Sequence, residues 1–180
     1  WEKALHWKGK IDVLVNNAGV MTPIPLESSD SDWHNEWSKT LQVNLIAVAD
    51  LCREAVKHFQ AKNGGIIINV SSRAAFRGDD KEYAHYASSK GGLVALSKTI
   101  ARNFAKDKIL VYTIAPGFVD TELNAEFLKA FGKETLLKDI PLGQFAAPEE
   151  IAQTIVFLAT GMVPSATGTN IDINGASYVR

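Results

Sequence analysis

Tyr86 and Lys90 stand one helical turn apart in the run Tyr86-Ala87-Ser88-Ser89-Lys90, within a segment, 82–106, whose pattern reads as helix. That spacing sends both side chains from one face, near enough for an ammonium to act on a phenol. In water both groups ionise near pH ~10, so neither alone moves protons at neutral pH. A neighbouring positive charge favours phenolate, lowers the tyrosine's pKa and fits it for acid/base work. The plain alternative is two ordinary residues on a helix surface, and an isolated pair of this kind is usually that. The elements around it decide.

Those elements alternate. Residues 1–8 read as the end of a helix, stopped by Lys8-Gly9-Lys10. The β-branched run 11–15 reads as a buried strand ending at Asn16-Asn17-Ala18-Gly19. Pro23 and Pro25 keep the next stretch irregular. Ser29-Asp30-Ser31-Asp32 is rich in capping residues and precedes a helical pattern over 33–62, which a turn near Asn44 divides. Asn63-Gly64-Gly65 stops it, and 66–70 is a second strand. Residues 71–80 form a loop before the helix at 82–106, and a third strand at 109–114 breaks at Pro116-Gly117. Over 119–145 the pattern weakens into short helices and loops, as expected of a flap over a site. Pro148-Glu149-Glu150 starts a helix running to about residue 160, and 169–173 is a last strand. Strands alternating with helices imply an α/β domain with a parallel sheet covered on both faces.

The totals exclude several classes. A chain of 180 residues suits one domain, and a net charge of −1 gives no reason to expect nucleic acid or an anionic membrane as partner. Cys52 is the single cysteine, so no intrachain disulfide forms and a reducing, cytoplasmic compartment is expected. No apolar run approaches the ~20 residues that span a bilayer. His6, His34, His58 and His85 are scattered without ligand spacing, so no metal site is expected. The chain opens on Trp1 without a signal peptide or initiator methionine, so a start within a longer protein is expected.

In open α/β sheets ligands bind beyond the carboxyl ends of the strands. The polar and glycine clusters lie at such ends: Asn16 to Gly19, then Ser71-Ser72, then Pro116-Gly117. Small residues there admit a ligand close to the backbone, and Gly19 is free to take a positive φ. Each cluster alone is an ordinary turn. Three at one edge, with Tyr86 and Lys90 after the second, are not.

In these stretches, together with Val43-Asn44, Val70-Ser71-Ser72, Thr121 and Asp172-Ile173-Asn174-Gly175, the chain resembles the short-chain dehydrogenase/reductases over nearly its whole length. The resemblance implies a Rossmann-like doubly wound parallel sheet, here the C-terminal portion of that fold in a single domain, 1–180. It implies an NAD- or NADP-dependent oxidoreductase interconverting a secondary alcohol and a ketone. Tyr86 would be the general acid/base. Lys90 would lower its pKa and hold the nicotinamide ribose. Ser72 would bond the substrate oxygen, with Ser71 the fallback because the spacing from Ser72 to Tyr86 is one residue longer than in many members. Asn44 would hold a water in the proton relay, or else cap or kink its helix. Asn17, Ala18 and Gly19 would line the cofactor, although Asn16-Asn17 has an alternative role bracing strands. Pro116, Gly117, Val119 and Thr121 would hold the nicotinamide carboxamide. A homo-oligomer, tetramer or dimer, is implied, with the long helices 33–62 and 82–106 in one interface and the C-terminal strand in another.

One departure is equally informative. No Gly-x-x-x-Gly-x-Gly or Gly-x-Gly-x-x-Gly turn occurs in the chain, so the diphosphate cradle at a helix N-terminus is absent. The N-terminal βαβαβ half of the family fold is therefore expected to be missing, leaving an apolar strand edge unpaired. A non-catalytic interaction module is accordingly the alternative function. A hydrolase built on Ser72 and His85 is a weaker one, lacking a Gly-x-Ser-x-Gly elbow and placing its histidine on a helix surface. Phe127, Leu128, Phe131, Leu136 and Leu137 in the flap point to an apolar or mixed substrate.

Overall fold

A computed structural model describes residues 1–121 and 125–180. Four parallel strands form one sheet in the order β1 (Val13–Asn16), β2 (Gly65–Val70), β3 (Ile109–Pro116), β4 (Asn170–Ile173). Helix α1 (Glu2–Lys8) precedes β1, and α2 (Asp30–Leu41) and α3 (Ala47–Ala61) join β1 to β2. Helices α4 (Ala74–Arg77) and α5 (Ala84–Phe104) join β2 to β3, and α6 (Ala125–Phe131), α7 (Lys133–Leu137) and α8 (Pro148–Ala159) lie between β3 and β4.

The period of two along the strands sorts the core into two layers. Ile67, Ile109 and Val111 pack against Cys52, Val56 and Phe59 of α3 and Leu93 and Ile100 of α5. Ile68, Tyr112 and Ile114 face the other way, against Ile151 and Leu158 of α8. The sheet steps in one direction from β1 to β4, yet α8 covers the face opposite α3 and α5. The third crossover thus has the opposite hand to the first two, a rarity among parallel connections. Its consequence is that α8 reaches the carboxyl ends of the strands from the far side of the sheet.

Several expectations shift in detail. The long helix expected over 33–62 begins at Asp30, capped by the Ser29 hydroxyl, which accepts from the Asp32 amide at 3.1 Å. Near Asn44 there is no turn: a π-helical stretch, Gln42–Ile46, joins α2 to α3 without breaking the run. Such wide turns are common at functional sites. The loop at 71–80 contains α4, which sequence pattern did not signal. The flap over 119–145 does resolve into short helices, apart from residues 122–124, which lie outside the described residues. Strand β1 pairs with β2 and forms a sheet edge, with Val15 40% exposed on it. Among the described residues no helix is long and apolar enough to cross a membrane.

Candidate functional site

A cavity of about 510 Å³ opens at the carboxyl ends of β1, β2 and β3. Most of the residues singled out from the sequence line it: Asn17, Gly19, Ser72, Tyr86, Lys90, Pro116, Gly117, Val119 and Thr121. Ala18 does not line it and is exposed.

Helix α5 delivers the pair. Tyr86 and Lys90 are both buried, and the Lys90 ammonium lies 5.8 Å from the Tyr86 ring centroid. That ammonium donates to the Val70 carbonyl at 2.8 Å. A carbonyl at the end of β2 thus fixes a cation below the ring. Burial pushes Lys90 down to about 8 and Tyr86 up to about 12, the latter opposed by a hydrogen bond with the Ser72 side chain and reinforced by the charge of Asp79. The expected lowering of the phenol by Lys90 is not what this geometry gives. Desolvation dominates, and the pair rests as phenol and ammonium at neutral pH.

Both serines line the cavity and differ in their partners. Ser71 donates its hydroxyl proton to the Lys90 carbonyl at 3.0 Å. Ser72 is the one hydrogen-bonded to Tyr86, and its oxygen also accepts from the Ala74 amide at 3.1 Å. The longer spacing from Ser72 to Tyr86 is taken up by α4 and the 3-10 turn Lys81–Tyr83.

Asn44 is fully buried in the π-helical stretch and does not line the cavity. Its carboxamide pairs with both backbone groups of Val20, accepting from the amide at 2.8 Å and donating to the carbonyl at 2.9 Å. It also donates to Ser89 Oγ at 3.1 Å. It therefore pins the loop after β1 to α5. The pinning brings Gly19 so close that a Cβ there would sit 3.4 Å from both Asn44 Oδ1 and Lys90 Nζ. Gly19 is not at positive φ, and 3.4 Å is an ordinary contact, so a methyl there would occupy the space beside the ammonium without a clash. Gly117 is the confined one: a Cβ would come within 2.9 Å of the Asn174 backbone, which leaves no room for it.

The brace role falls to Asn16 alone. Asn16 Nδ2 donates to Asn69 Oδ1 at 2.8 Å, tying β1 to β2, while Asn17 is exposed and faces the cavity. His85 is fully buried, not a surface residue. Its Nε2 lies 2.9 Å from the Thr22 carbonyl and its ring packs 5.9 Å from Trp37, outside the cavity. It offers no base to Ser72, which removes the geometric ground for a hydrolase. The charged cavity-lining residues Arg73, Arg77 and Asp79 were missed by sequence reasoning, as were apolar ones such as Met21 and Phe118. Arg73 stacks its guanidinium 4.6 Å from the Phe118 ring and pairs with Asp139 at 3.0 Å. A basic residue directly after the serine was the available signal.

A dinucleotide's nicotinamide ribose end fits what is present. The space at Gly19 opens beside the Lys90 ammonium, and Asn17, Pro116 and Thr121 supply polar and small neighbours. No glycine-rich turn for a diphosphate occurs in the sequence.

Comparison with known proteins identifies the scaffold. A family model described as enoyl-(acyl carrier protein) reductase matches residues 2–176. The 3-oxoacyl-(acyl-carrier-protein) reductase FabG of Thermotoga maritima is 38% identical over 178 residues, covering 99% of this chain and 70% of that protein. The 3beta-hydroxysteroid dehydrogenase 1 of Eggerthella lenta is 36% identical over 177 residues, 97% of this chain and 66% of that protein. A crystal structure of a short-chain type dehydrogenase/reductase from Mycobacterium marinum superposes with TM-score 0.90 at 25% identity, covering 99% of this chain and 69% of that one. A candidate NAD(P)-dependent gluconate 5-dehydrogenase from Beutenbergia cavernae, with NADP bound at low occupancy, superposes with TM-score 0.88 at 30% identity over 97% of this chain and 69% of that one. A family model matched over nearly the whole chain and a relative 38% identical over 99% of it place the chain in the short-chain dehydrogenase/reductase family.

Proposed function

We propose that this chain is an NAD(P)-dependent oxidoreductase that interconverts a ketone and a secondary alcohol, with Tyr86 as the group that gives or takes the proton on oxygen. The observation that carries it is the buried Tyr86–Lys90 pair, facing the cavity with Ser72 on the phenol.

When bound, the dinucleotide supplies or accepts the hydride. The chain's own groups handle the proton and the oxygen. Ser72 donates to the substrate oxygen and holds it against the phenol. Tyr86, protonated at rest, delivers its proton to that oxygen as negative charge develops there. Lys90, cationic below about pH 8, stabilises the phenolate left behind. A resting phenol and ammonium are the protonation states from which ketone reduction starts. Asn44 acts through Gly19 and Ser89, as a positioning residue.

The relatives act on unlike substrates by their names, so the carbonyl compound is not inherited from them. A second copy of the chain belongs to this reading, with the exposed apolar Leu51 of α3 and neighbouring α5 surface in the contact; sedimentation of the purified protein tests that. A non-catalytic module is not favoured, because it leaves a buried lysine and tyrosine without a reason.

The direct test follows NAD(P)H absorbance with a panel of ketones, alongside dinucleotide binding by fluorescence. Reduction by the native chain, abolished in Tyr86→Phe with dinucleotide binding retained, supports the reading. Dinucleotide binding with no ketone turnover, or full turnover by Tyr86→Phe, overturns it.

A further inference from the structure

The substrate end of the cavity is built around a guanidinium. Arg73 directly follows Ser72, and its side chain is 9% exposed. Its backbone amide is fixed on the Pro116 carbonyl at 2.9 Å, and its guanidinium carbon lies 4.6 Å from the Phe118 ring centroid. Beyond it the cavity runs towards a second one of about 360 Å³, lined by Arg73, Arg77, Asp79, Phe118, Phe127 and Asp139 among others.

Asp139 organises this end. Its Oδ2 accepts from Arg73 Nη1 at 3.0 Å and from Arg77 Nη1 at 2.7 Å. Asp139 and Asp79 between them offset the two arginines, so net charge does not single out a ligand here. Donor count does. A guanidinium has five N–H groups in a fixed fork, and Nη1 is the one nitrogen of Arg73 with an acceptor among the described residues. The stem of Arg73 is buried while its other guanidinium nitrogens are not sealed among the described residues, so they stay open to an acceptor that enters the cavity. They border the cavity whose middle is Ser72 and Tyr86.

We propose that Arg73 is a carboxylate-binding residue of the substrate pocket, so that the compound reduced is an oxo acid whose carboxylate lies on Arg73 while its ketone lies on Ser72 and Tyr86. This rests on the proposed ketone reduction at the same site. The planar fork matches a carboxylate in a two-point contact. Phe118 and Phe127 wall the space, so the chain between carboxylate and ketone is aliphatic. The apolar or mixed substrate expected from the flap becomes an apolar stem with an anionic end.

The experiment uses oxo acids of three to eight carbons and their methyl esters, matched pairs that differ in the anion alone. It measures kcat/KM for NAD(P)H-dependent reduction and, separately, binding of each compound by calorimetry to the dinucleotide-loaded chain. For at least one pair the acid should exceed its ester at least tenfold in kcat/KM, chiefly through KM. Arg73→Met should lower that ratio at least tenfold, and Arg73→Lys should restore part of it. Asp139→Asn separates substrate binding from a purely structural latch: it breaks the same ion pair but should keep the acid preference. Esters equal to or better than acids throughout, a phosphorylated ketone preferred to every acid, or Asp139→Asn abolishing the preference as Arg73→Met does, would each overturn the assignment. Where no ketone is reduced at all, the proposed activity fails, and calorimetry still decides the subsite: tighter binding of an acid than its ester, lost in Arg73→Met, upholds it, and equal binding rejects it.

Discussion

Two buried polar clusters lie on the same sheet, built from similar kinds of residue, and they differ in what is left over. In the first, Asn16 donates to Asn69 at 2.8 Å, Asn69 donates to Ser97 at 2.8 Å, and Ser97 donates to the Leu93 carbonyl at 2.7 Å. Cys52 closes the group, its sulfur 3.5 Å from Asn16 Nδ2. Burial pushes that thiol up to about 11, so it is a packed, inert side chain and no nucleophile. In the second cluster Lys90 has one acceptor among the described residues, the Val70 carbonyl, and Tyr86 has Ser72. Both borders of that cluster face the cavity. The saturated cluster braces strands; the unsaturated one retains donors for a ligand. Polar residues at strand ends mean little until their remaining hydrogen-bonding capacity is counted.

The largest test exchanges one residue from each cluster. Tyr86→Phe should lower kcat about a thousandfold, within the usual range for a lost general acid, while the unfolding midpoint stays close to that of the native chain. Asn69→Leu should do the reverse. It leaves the buried Asn16 amide with only the weak Cys52 sulfur among the side-chain partners given above and should cost about 2 kcal/mol of stability, with kcat per folded molecule nearly unchanged. Urea titration and initial rates on both variants check this. Loss of activity by folded Asn69→Leu protein would erase the distinction.

The pH response separates the clusters next. Lys90 sits at about 8 in the folded chain against an ordinary 10.5. Its folded pKa is depressed, so the unfolded chain holds a proton between about pH 8 and 10 that the folded chain has released. Stability referred to Lys90 therefore rises across that window, by about 2 to 3 kcal/mol on the linkage relation. Ketone reduction needs the ammonium and should fall with an apparent pKa near 8. Activity and the Lys90 contribution to stability move in opposite directions over the same window. Measuring unfolding free energy for the native chain and Lys90→Met at pH 7.5 and 9.5 isolates the contribution: the variant should be the more stable at the lower pH, and the gap should close at the higher.

How far the sequence carried this reading depends on the range of the interactions involved. Strands, helices and the sheet-end clusters are local signals, and β1 to β4 and the long helices stand within a few residues of where periodicity puts them. The Tyr86–Lys90 pair is equally local, being one helical turn. The resemblance favoured Ser72 over Ser71, but spacing kept Ser71 as a fallback, because the partners of each hydroxyl depend on which one meets the Lys90 carbonyl across the fold. The protonation of Tyr86 was not legible: a neighbouring cation is visible in sequence, whereas the burial that outweighs it is not. Arg73 shows the same limit, since its partner Asp139 is far along the chain. His85, placed on the surface by its helical position, is buried because Trp37 of α2 covers it.

The serines give a test of intermediate size. Ser72→Ala removes the hydroxyl bonded to the phenol and should lower kcat by about ten- to a hundredfold, one to two hydrogen bonds' worth to a developing charge. Ser71→Ala removes a hydroxyl already engaged with the Lys90 carbonyl, so its main effect should be a stability loss of about 1 kcal/mol. Equal kinetic losses in the two would return Ser71 to the site.

The smallest effect expected is at Gly19, and it probes the join between bracing and chemistry. Asn44 holds the Val20 backbone by both its groups, which sets Gly19 where a Cβ stands 3.4 Å from Lys90 Nζ and from Asn44 Oδ1. Its backbone is not in the left-handed region, so Gly19→Ala carries no conformational strain. The added methyl meets two polar atoms and displaces whatever ligand atom approaches the ammonium. Crowding of this degree costs on the order of 1 kcal/mol, which is about a fivefold rise in the dinucleotide's Kd, with kcat little changed and the unfolding midpoint nearly constant. A Gly19→Ala variant that bound the dinucleotide as tightly as the native chain would show that the ligand does not use the space beside Lys90, and the ribose-holding part of that lysine's role would have to be given up while its effect on Tyr86 stood.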